Sequence, residues 1–146
     1  KQLTNTREDE SSPCWSPDGQ WICFAGKINE RRALWKVPVA GGAPVRIPTS
    51  SVSNPSEPDW SPDGKWIVFT AQMGGFEICV VPATGGTATL LVSGEDPSWG
   101  PNSRTVVYVQ RDRSGGRRLS LLDVPTKQTK DVSRLSGINS QPSWAK

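Results

Sequence analysis

The sequence predicts an all-β fold made of repeated four-stranded sheets, and three observations support this prediction. The segment PCWSPDGQWICF at 13–24 returns as PDWSPDGKWIVF at 58–69 and, less closely, as PSWGPNSRTVVY at 97–108. The Trp residues that anchor the copies are spaced 45, 39 and 45 residues apart; they are Trp15, Trp60, Trp99 and Trp144. No segment shows a sustained apolar period of 3.6 residues, which predicts essentially no helix. A repeat of about 40–45 residues built from short strands is typical of β-propeller blades.

Each copy is expected to form four strands. The first strand ends at the anchoring Trp and enters a tight turn, which in two copies contains Asp-Gly, at Asp18-Gly19 and Asp63-Gly64. Asp can bond the local backbone there, and Gly accepts a positive φ. The apolar second strands are predicted at 21–24, 66–69 and 106–109, the third strands at 33–37, 77–81 and 120–124, and the shorter, more polar fourth strands at 45–47, 88–92 and 130–132.

These strands are grouped into three four-stranded blades in a single domain, 1–146, with repeats at about 13–57, 58–96 and 97–141. The inner strands carry apolar residues on both faces, as expected for a sheet packed between neighbouring sheets. The anchoring Trp residues are interpreted as core packing between blades rather than as a ligand-stacking surface, because large aromatic side chains commonly fill such positions.

The string Pro-x-Trp-Ser-Pro-Asp-Gly-(Lys/Gln)-Trp-Ile-x-Phe resembles the repeat of TolB-type β-propellers, a branch of the WD-like repeats. The resemblance covers nearly the whole chain and implies a radial array of four-stranded blades. The third copy departs from the pattern, with Gly100-Pro-Asn-Ser103 in place of Ser-Pro-Asp-Gly. Asn can still make the turn. TolB-type propellers characteristically have six blades, so the resemblance implies that this chain is half of a six-bladed ring.

Three blades cannot close a ring, and open sheet edges invite further pairing. We therefore expect a homodimer in which a second copy completes the propeller by two-fold symmetry. The alternative is that the chain is an excerpt from a longer propeller, natural or engineered.

Composition restricts the function classes. The net charge of +3 is too small to argue for nucleic acid, and no apolar stretch approaches the roughly 18 residues of a membrane span. There is no signal peptide and no initiating Met, so the sequence does not indicate a compartment, while the resemblance implies the periplasm. The absence of His excludes Ser-His-Asp and Cys-His mechanisms and His-based metal sites within this chain. We predict no enzymatic activity, no cofactor and no metal, although composition leaves catalysis by paired carboxylates open.

The three Cys residues do not suggest a disulfide framework or a zinc site, because their number is odd and no CxxC spacing occurs. Cys23 and Cys79 occupy apolar repeat positions and are expected to be buried thiols. Cys14 and Cys23 lie on adjacent strands of one hairpin, so a disulfide between them depends on a register that places both on the same face.

One candidate site lies where the outer strand of each blade leads into the inner strand of the next, at a mouth of the central channel. The residue three before each anchoring Trp is polar, and acidic residues occur beside it; the candidates are Ser12, Glu57, Asp96, Gln141, Glu10 and Glu95. They could form a ring of hydrogen-bonding groups that accepts a peptide segment, a cation or a small polar ligand. Alternatively they are polar because they are solvated or bond the local backbone.

A second candidate is a basic patch on two hairpins between second and third strands. It comprises Arg31, Arg32, Arg111, Arg113, Arg117 and Arg118. Arg favours bidentate binding of carboxylate or phosphate, but charged hairpin tips are also commonly just solvated.

These features favour a non-enzymatic scaffold for protein–protein or ligand binding. One alternative is a propeller that serves as an accessory or gating domain of a prolyl-oligopeptidase-like or tricorn-type peptidase. Another is an engineered half-propeller with a purely structural purpose.

Overall fold

The computed structural model describes residues 10–134, and within that range every regular element is a β-strand. Three four-stranded antiparallel sheets follow one another along the chain, which confirms the all-β prediction and is consistent with propeller blades. The first sheet contains β1 (Glu10–Trp15), β2 (Trp21–Ile28), β3 (Arg31–Pro38) and β4 (Val45–Ile47). The second contains β6 (Pro55–Trp60), β7 (Trp66–Gln72), β8 (Phe76–Pro82) and β10 (Thr89–Ser93). The third contains β11 (Glu95–Trp99), β12 (Thr105–Arg111), β13 (Arg117–Asp123) and β14 (Gln128–Arg134).

A fourth, two-stranded sheet was not predicted from the sequence. It pairs β5 (Thr49–Ser50) with β9 (Gly86–Thr87) in parallel and so ties the end of the first sheet to the second. The contact is close, because a Cβ added at Gly85 would lie 2.3 Å from Cδ of Pro48. Two-residue strands carry too little pattern to be recognised in a sequence.

The Asp-Gly turns are closed by their own side chains. In the first turn, Oδ1 of Asp18 accepts hydrogen bonds from the Ser16 hydroxyl and from the backbone N–H of Gln20. The Ser61 turn repeats this arrangement around Asp63. In the third turn Asn102 takes the place of Asp and accepts from the N–H of Arg104, so the departure from the repeat preserves the corner.

The sheets pack face to face through the anchoring Trp residues. Trp60 packs against the first sheet in a cluster that includes Cys23 and Leu34, and Trp99 packs against the second sheet beside Val68 and Val80. Their exposed fractions are 8% and 1%. Trp15 differs from the core prediction because it is 60% exposed: the face of the first sheet that carries it points away from the second sheet. Trp144 lies outside the described residues.

The second and third sheets are also joined by hydrogen bonds between their inner strands. Asp59 accepts from the backbone N–H of Trp99 through Oδ2 at 2.7 Å, and its carbonyl accepts from the Trp99 indole N–H at 3.0 Å. At the next turn, Oγ of Ser103 accepts from the N–H of Asp63 at 2.9 Å.

The three Cys residues are free thiols. Cys14 and Cys23 are directly opposite each other in the β1–β2 register and therefore share a face, but they are not bonded. The neighbouring thiol of Cys14 and burial hold the pKa of Cys23 well above its usual value. Burial raises the pKa of Cys79 to about 11. Both buried thiols are thus kept protonated and unreactive.

Candidate binding face

The two predicted sites lie at the same end of the sheets. The start of β1 pairs with the end of β2, from Glu10 opposite Gly26, and the hairpin that follows β2 closes at Ile28 opposite Arg31. The same topology holds for the second and third sheets. This end, which we call the hairpin end, therefore combines the starts of the innermost strands with the Arg-containing hairpins. The Asp-Gly turns lie at the opposite end.

A β-bulge interrupts each innermost strand at the same place. The register shifts between Ser11 and Cys14, between Ser56 and Asp59, and between Glu95 and Ser98. The residue in the bulge has a left-handed backbone in all three strands; these residues are Ser12 (φ 55), Glu57 (φ 52) and Asp96 (φ 53). We call them the bulge residues. They are the positions that the sequence singled out three before each anchoring Trp.

A left-handed backbone is strained for a residue with a side chain, at roughly 1–3 kcal/mol. β-Bulges also redirect side chains and occur often beside functional sites. Each bulge residue is half-buried, so each retains part of its surface for a ligand. The same strained conformation at three equivalent points means that the sheets present three polar side chains in matching positions.

Glu57 is the most unusual of the three bulge residues. Its Oε2 is buried and accepts no hydrogen bond from any residue in the described range. A buried carboxylate oxygen without a donor costs free energy, so this oxygen is suited to receive a donor from a ligand. Among the other mouth candidates, Gln141 lies outside the described residues and Glu10 begins β1 without a described side chain.

Glu95, another of the predicted mouth residues, is held in ion pairs. Its side chain is 8% exposed, and its Oε1 accepts from Nε of Arg111 at 2.7 Å and lies 3.7 Å from Nη2 of Arg117. Glu95 raises the pKa of Arg111, which keeps that guanidinium charged. Glu95, predicted at the channel mouth, thus forms one ion-pair cluster with Arg111 and Arg117, which were predicted in the basic patch.

The rest of the predicted basic patch is dispersed. Arg118 pairs with Asp131 at 3.2 Å across β13 and β14. Arg113 is exposed on the hairpin tip and Arg32 is half-buried on a different sheet, while no side chain is described for Arg31. Because carboxylates of the same chain neutralise Arg111, Arg117 and Arg118, the patch offers less free positive charge than its sequence indicates.

Phe76 also contributes to this end of the molecule and was not among the residues that the sequence pattern indicated. Its ring is 39% exposed and lies 5.6 Å from the guanidinium carbon of Arg111, a cation–π contact. The ring, Arg111 and Gly94 border a shallow cleft of about 180 Å³ between the second and third sheets. An isolated Phe at a hairpin start has no motif that could have identified it.

No three Cys, Asp or Glu side chains in the described part of the chain lie close enough together to hold a metal ion. Likewise, residues 10–134 contain no helix that is long and apolar enough to cross a membrane. The chemistry available at the hairpin end is hydrogen bonding by carboxylate and hydroxyl groups, together with ion pairing by arginine.

Comparison with known proteins places this geometry in a family. A model of the TolB beta propeller domain matches residues 1–146. The fold is similar to a TolB-type protein from Agrobacterium tumefaciens, with a TM-score of 0.85 and 23% identity over 98% of this chain and 52% of that one. TolB from Acinetobacter baumannii also matches with a TM-score of 0.85, at 21% identity over 98% of this chain and 37% of that one.

The propeller domain of the Trilobed protease from Pyrococcus furiosus is similar at a TM-score of 0.66 and 18% identity, over 92% of this chain and 47% of that one. No curated protein matches the sequence. The chain spans about half of the Agrobacterium protein and a smaller share of the Acinetobacter one. Because the family model matches the entire sequence, the chain belongs to the TolB beta propeller domain family.

Proposed function

We propose that this chain is a non-enzymatic binding module that forms half of a six-bladed propeller and holds a polar peptide segment of a partner protein at its channel mouth. The observation that carries the proposal is the recurrence of the three bulge residues, each in a left-handed backbone. Strain that recurs at equivalent points is typical of sites that position side chains for binding.

The chemistry of the bulge residues favours a ligand rich in hydrogen-bond donors. Glu57 and Asp96 offer carboxylate oxygens, Ser12 offers a hydroxyl, and Oε2 of Glu57 accepts no bond from a described residue. Peptide N–H groups and a Lys or Arg side chain would supply the donors that such oxygens accept. The absence of His from the whole sequence leaves no triad chemistry to this chain.

Apolar side chains that remain partly exposed at both ends of the row of sheets favour completion of the ring by a second copy. The outer face of the first sheet carries Trp15, which is 60% exposed, beside the half-buried Ile22 and Trp35. The outer face of the third sheet carries the half-buried Val107 and Leu121, which pair across β12 and β13. Trp60 and Trp99 are buried because each packs on the sheet before it, and the third sheet of a second copy would cover Trp15 in the same way.

A head-to-tail contact of this kind closes when the second copy makes it in return, which gives a ring with two-fold symmetry. Two chains of three sheets each would supply six blades. Three further blades within a longer chain would cover the same faces, and the two arrangements differ in the mass of the particle in solution.

The mouth is tested by selecting binders from a displayed random-peptide library against the protein. Peptides that use the mouth should lose at least about tenfold in affinity against Glu57→Gln and Asp96→Asn, because each change weakens a charge-assisted hydrogen bond. Asp123→Asn, at the opposite end of the sheets, is the matched control. Selected peptides that bind all three variants as they bind the wild type would show that the bulge residues do not hold the ligand.

A second candidate function is supported by the similarity to the Trilobed protease propeller. In that case the chain would be an accessory domain of a peptidase whose catalytic residues lie elsewhere. The test is fusion or co-expression with a peptidase catalytic domain. The size of the peptides that this domain cleaves is then compared with and without the propeller. Unchanged size selectivity on removal of the propeller would contradict a gating role.

A further inference from the structure

A cleft of about 180 Å³ borders Phe76, but a larger one of about 330 Å³ opens at the other end of the sheets, between the first and second. It lies among the Asp-Gly turns, and the side chains that give it chemical character are Trp21, Lys36, Trp60, Asp18 and Asp63. Its volume falls at the lower end of the range of small-ligand sites, roughly 300–1,000 Å³. It is separate from the mouth proposed above.

The internal repeat explains why this cleft is open. At the corresponding junction between the second and third sheets, Oγ of Ser103 accepts a hydrogen bond from the N–H of Asp63 at 2.9 Å and so bridges the two turns. Gly64 stands at the repeat position of Ser103 and has no hydroxyl to offer Asp18.

The third strand contributes a second difference between the two junctions. Val80 is 6% exposed and packs into the core between the second and third sheets. Lys36 is the equivalent residue in the first sheet. Lys36 pairs with Cys23 and Val80 pairs with Val68, and Cys23 and Val68 occupy the same position in the repeat. An apolar contact is thus replaced by an ammonium group, which lies 4.8 Å from the centre of the Trp21 ring.

The cleft therefore combines aromatic surface with both kinds of hydrogen-bonding group. The half-buried Trp21 supplies indole surface. Trp60 also lines the cleft but is only 8% exposed, and its N–H is already used by the carbonyl of Gly64 at 3.1 Å. Lys36 is a donor. Asp18 and Asp63 are acceptors, since the hydroxyls of Ser16 and Ser61 lower the pKa of these carboxyls and keep them ionised.

The two carboxylates retain capacity for a ligand. Their hydrogen bonds from described residues all reach Oδ1. Oδ2 of each can accept a further donor. The carboxylates of Asp18 and Asp63 would repel an anionic ligand. The Lys36 ammonium, which lies over the Trp21 ring, would repel a cationic ligand that approached that ring. A neutral ligand with many hydroxyl groups avoids both penalties.

We propose that this cleft binds a neutral pyranose sugar. Each sugar hydroxyl both donates and accepts, so one molecule can accept from Lys36 and donate to the Asp carboxylates. Its C–H groups can contact the Trp21 indole beside the Lys36 ammonium, where apolar contact is gained. Ser103 shows the position of one such hydroxyl, because at the next junction its Oγ occupies the place that a sugar oxygen would take beside Asp18.

The test uses the whole chain and titrates methyl glucoside and methyl galactoside while the indole N–H signals are followed by NMR. We expect saturable shifts of the Trp60 and Trp21 signals, with the Trp99 signal unmoved. Gly64→Ser should weaken binding at least about tenfold, because the new hydroxyl would occupy the sugar's position and bond Asp18 instead. The substitution fits, since an added Cβ lies 3.4 Å from Cγ of Pro17, an ordinary contact.

Gly19→Ser is the matched control. Gly19 has a φ of 72° against 79° for Gly64, and an added Cβ meets nothing within 4 Å, so it introduces the same backbone strain outside the cleft. It should bind as the wild type does. Lys36→Met, which keeps the aliphatic stem, should weaken binding about threefold to tenfold.

Three results would overturn the proposal. The first is the absence of saturable shifts at tens of millimolar sugar. The second is equal binding by Gly64→Ser and Gly19→Ser. The third is tighter binding of glucuronate or acetate than of methyl glucoside, which would make the cleft an anion site centred on Lys36.

Discussion

Hydrogen bonds that recur from one copy of the repeat to the next hold the turn side chains of this molecule in equivalent positions. Asp18 and Asp63 close their turns identically, and Asn102 does so with an amide. The differences between copies carry the chemistry. The cleft at the first junction is lined by Gly64, where another copy has Ser103, and by Lys36, where another copy has Val80. At the second junction Ser103 bonds the turn of the second sheet instead.

The carboxyl of Asp123 should titrate far into the acid range. Bonds from Arg104 and Thr126 lower its pKa to about 2 from an ordinary value of 3.8. Because the folded-state pKa is the lower one, its contribution to stability is complete above about pH 4 and is lost as the pH falls through about 2. The carboxyl carbon signal followed by NMR across this range measures the midpoint, and Arg104→Gln should move it upward. A midpoint near 4 in the wild type would contradict the pairing.

Gly94 should tolerate no side chain. A Cβ at this position would lie 2.5 Å from Cδ2 of Tyr108, a fully buried ring. We expect Gly94→Ala to lower the free energy of unfolding by about 1–3 kcal/mol, the usual cost of overpacking. Urea denaturation measures it. Gly75→Ala, whose nearest atom would be 3.9 Å away, should change stability by less than about 1 kcal/mol, and equal losses in both variants would argue against the clash.

At the scale of the elements, most of the fold could be predicted from the sequence because the repeat is written in strong local signals. The Asp-Gly turns and the apolar runs at 21–24 and 66–69 place the hairpins, and the strands occur where these signals predict them. The sequence identified the positions of the bulge residues but did not predict their backbone conformation. Nothing in the letters Ser12, Glu57 and Asp96 specifies a left-handed backbone, which arises from the pairing of two strands.

Side-chain partners were the least predictable feature. Glu95 and Arg111 are 16 residues apart and belong to different candidate sites in the sequence, yet the β11–β12 pairing brings Oε1 of Glu95 within 2.7 Å of Nε of Arg111. The exposure of Trp15 could not be predicted from one copy of the repeat, because burial of that Trp depends on the sheet that precedes it rather than on its own strand.

The bond between Asp59 and the inner strand of the third sheet should contribute measurably to stability. Oδ2 of Asp59 receives the backbone N–H of Trp99, and Trp99 is 1% exposed. Asp59→Ala leaves that donor without its partner, at an expected cost of about 1–3 kcal/mol. Thermal or urea denaturation measures the change. Cys14→Ala, at the equivalent position of the first sheet, is the control. A smaller loss in Asp59→Ala than in Cys14→Ala would show that the sheets are not joined here.

At the scale of the whole molecule, the proposed function depends on whether the three sheets become part of a ring. A channel mouth exists only when blades surround it, so the bulge residues can act together only in a closed assembly. The face that carries Trp15 and the face that carries Val107 and Leu121 are the surfaces on which closure depends.

The most direct test of the ring is the mass of the folded protein by light scattering at low micromolar concentration. We predict twice the chain mass of 15.9 kDa for the wild type and the mass of a single chain for Trp15→Ser. The control Trp66→Ser removes a Trp that is 40% exposed, on the face of the second sheet turned toward the third. This control should keep the doubled mass. A wild-type protein that is folded by circular dichroism and has the mass of one chain would contradict the completion of the propeller by a second copy.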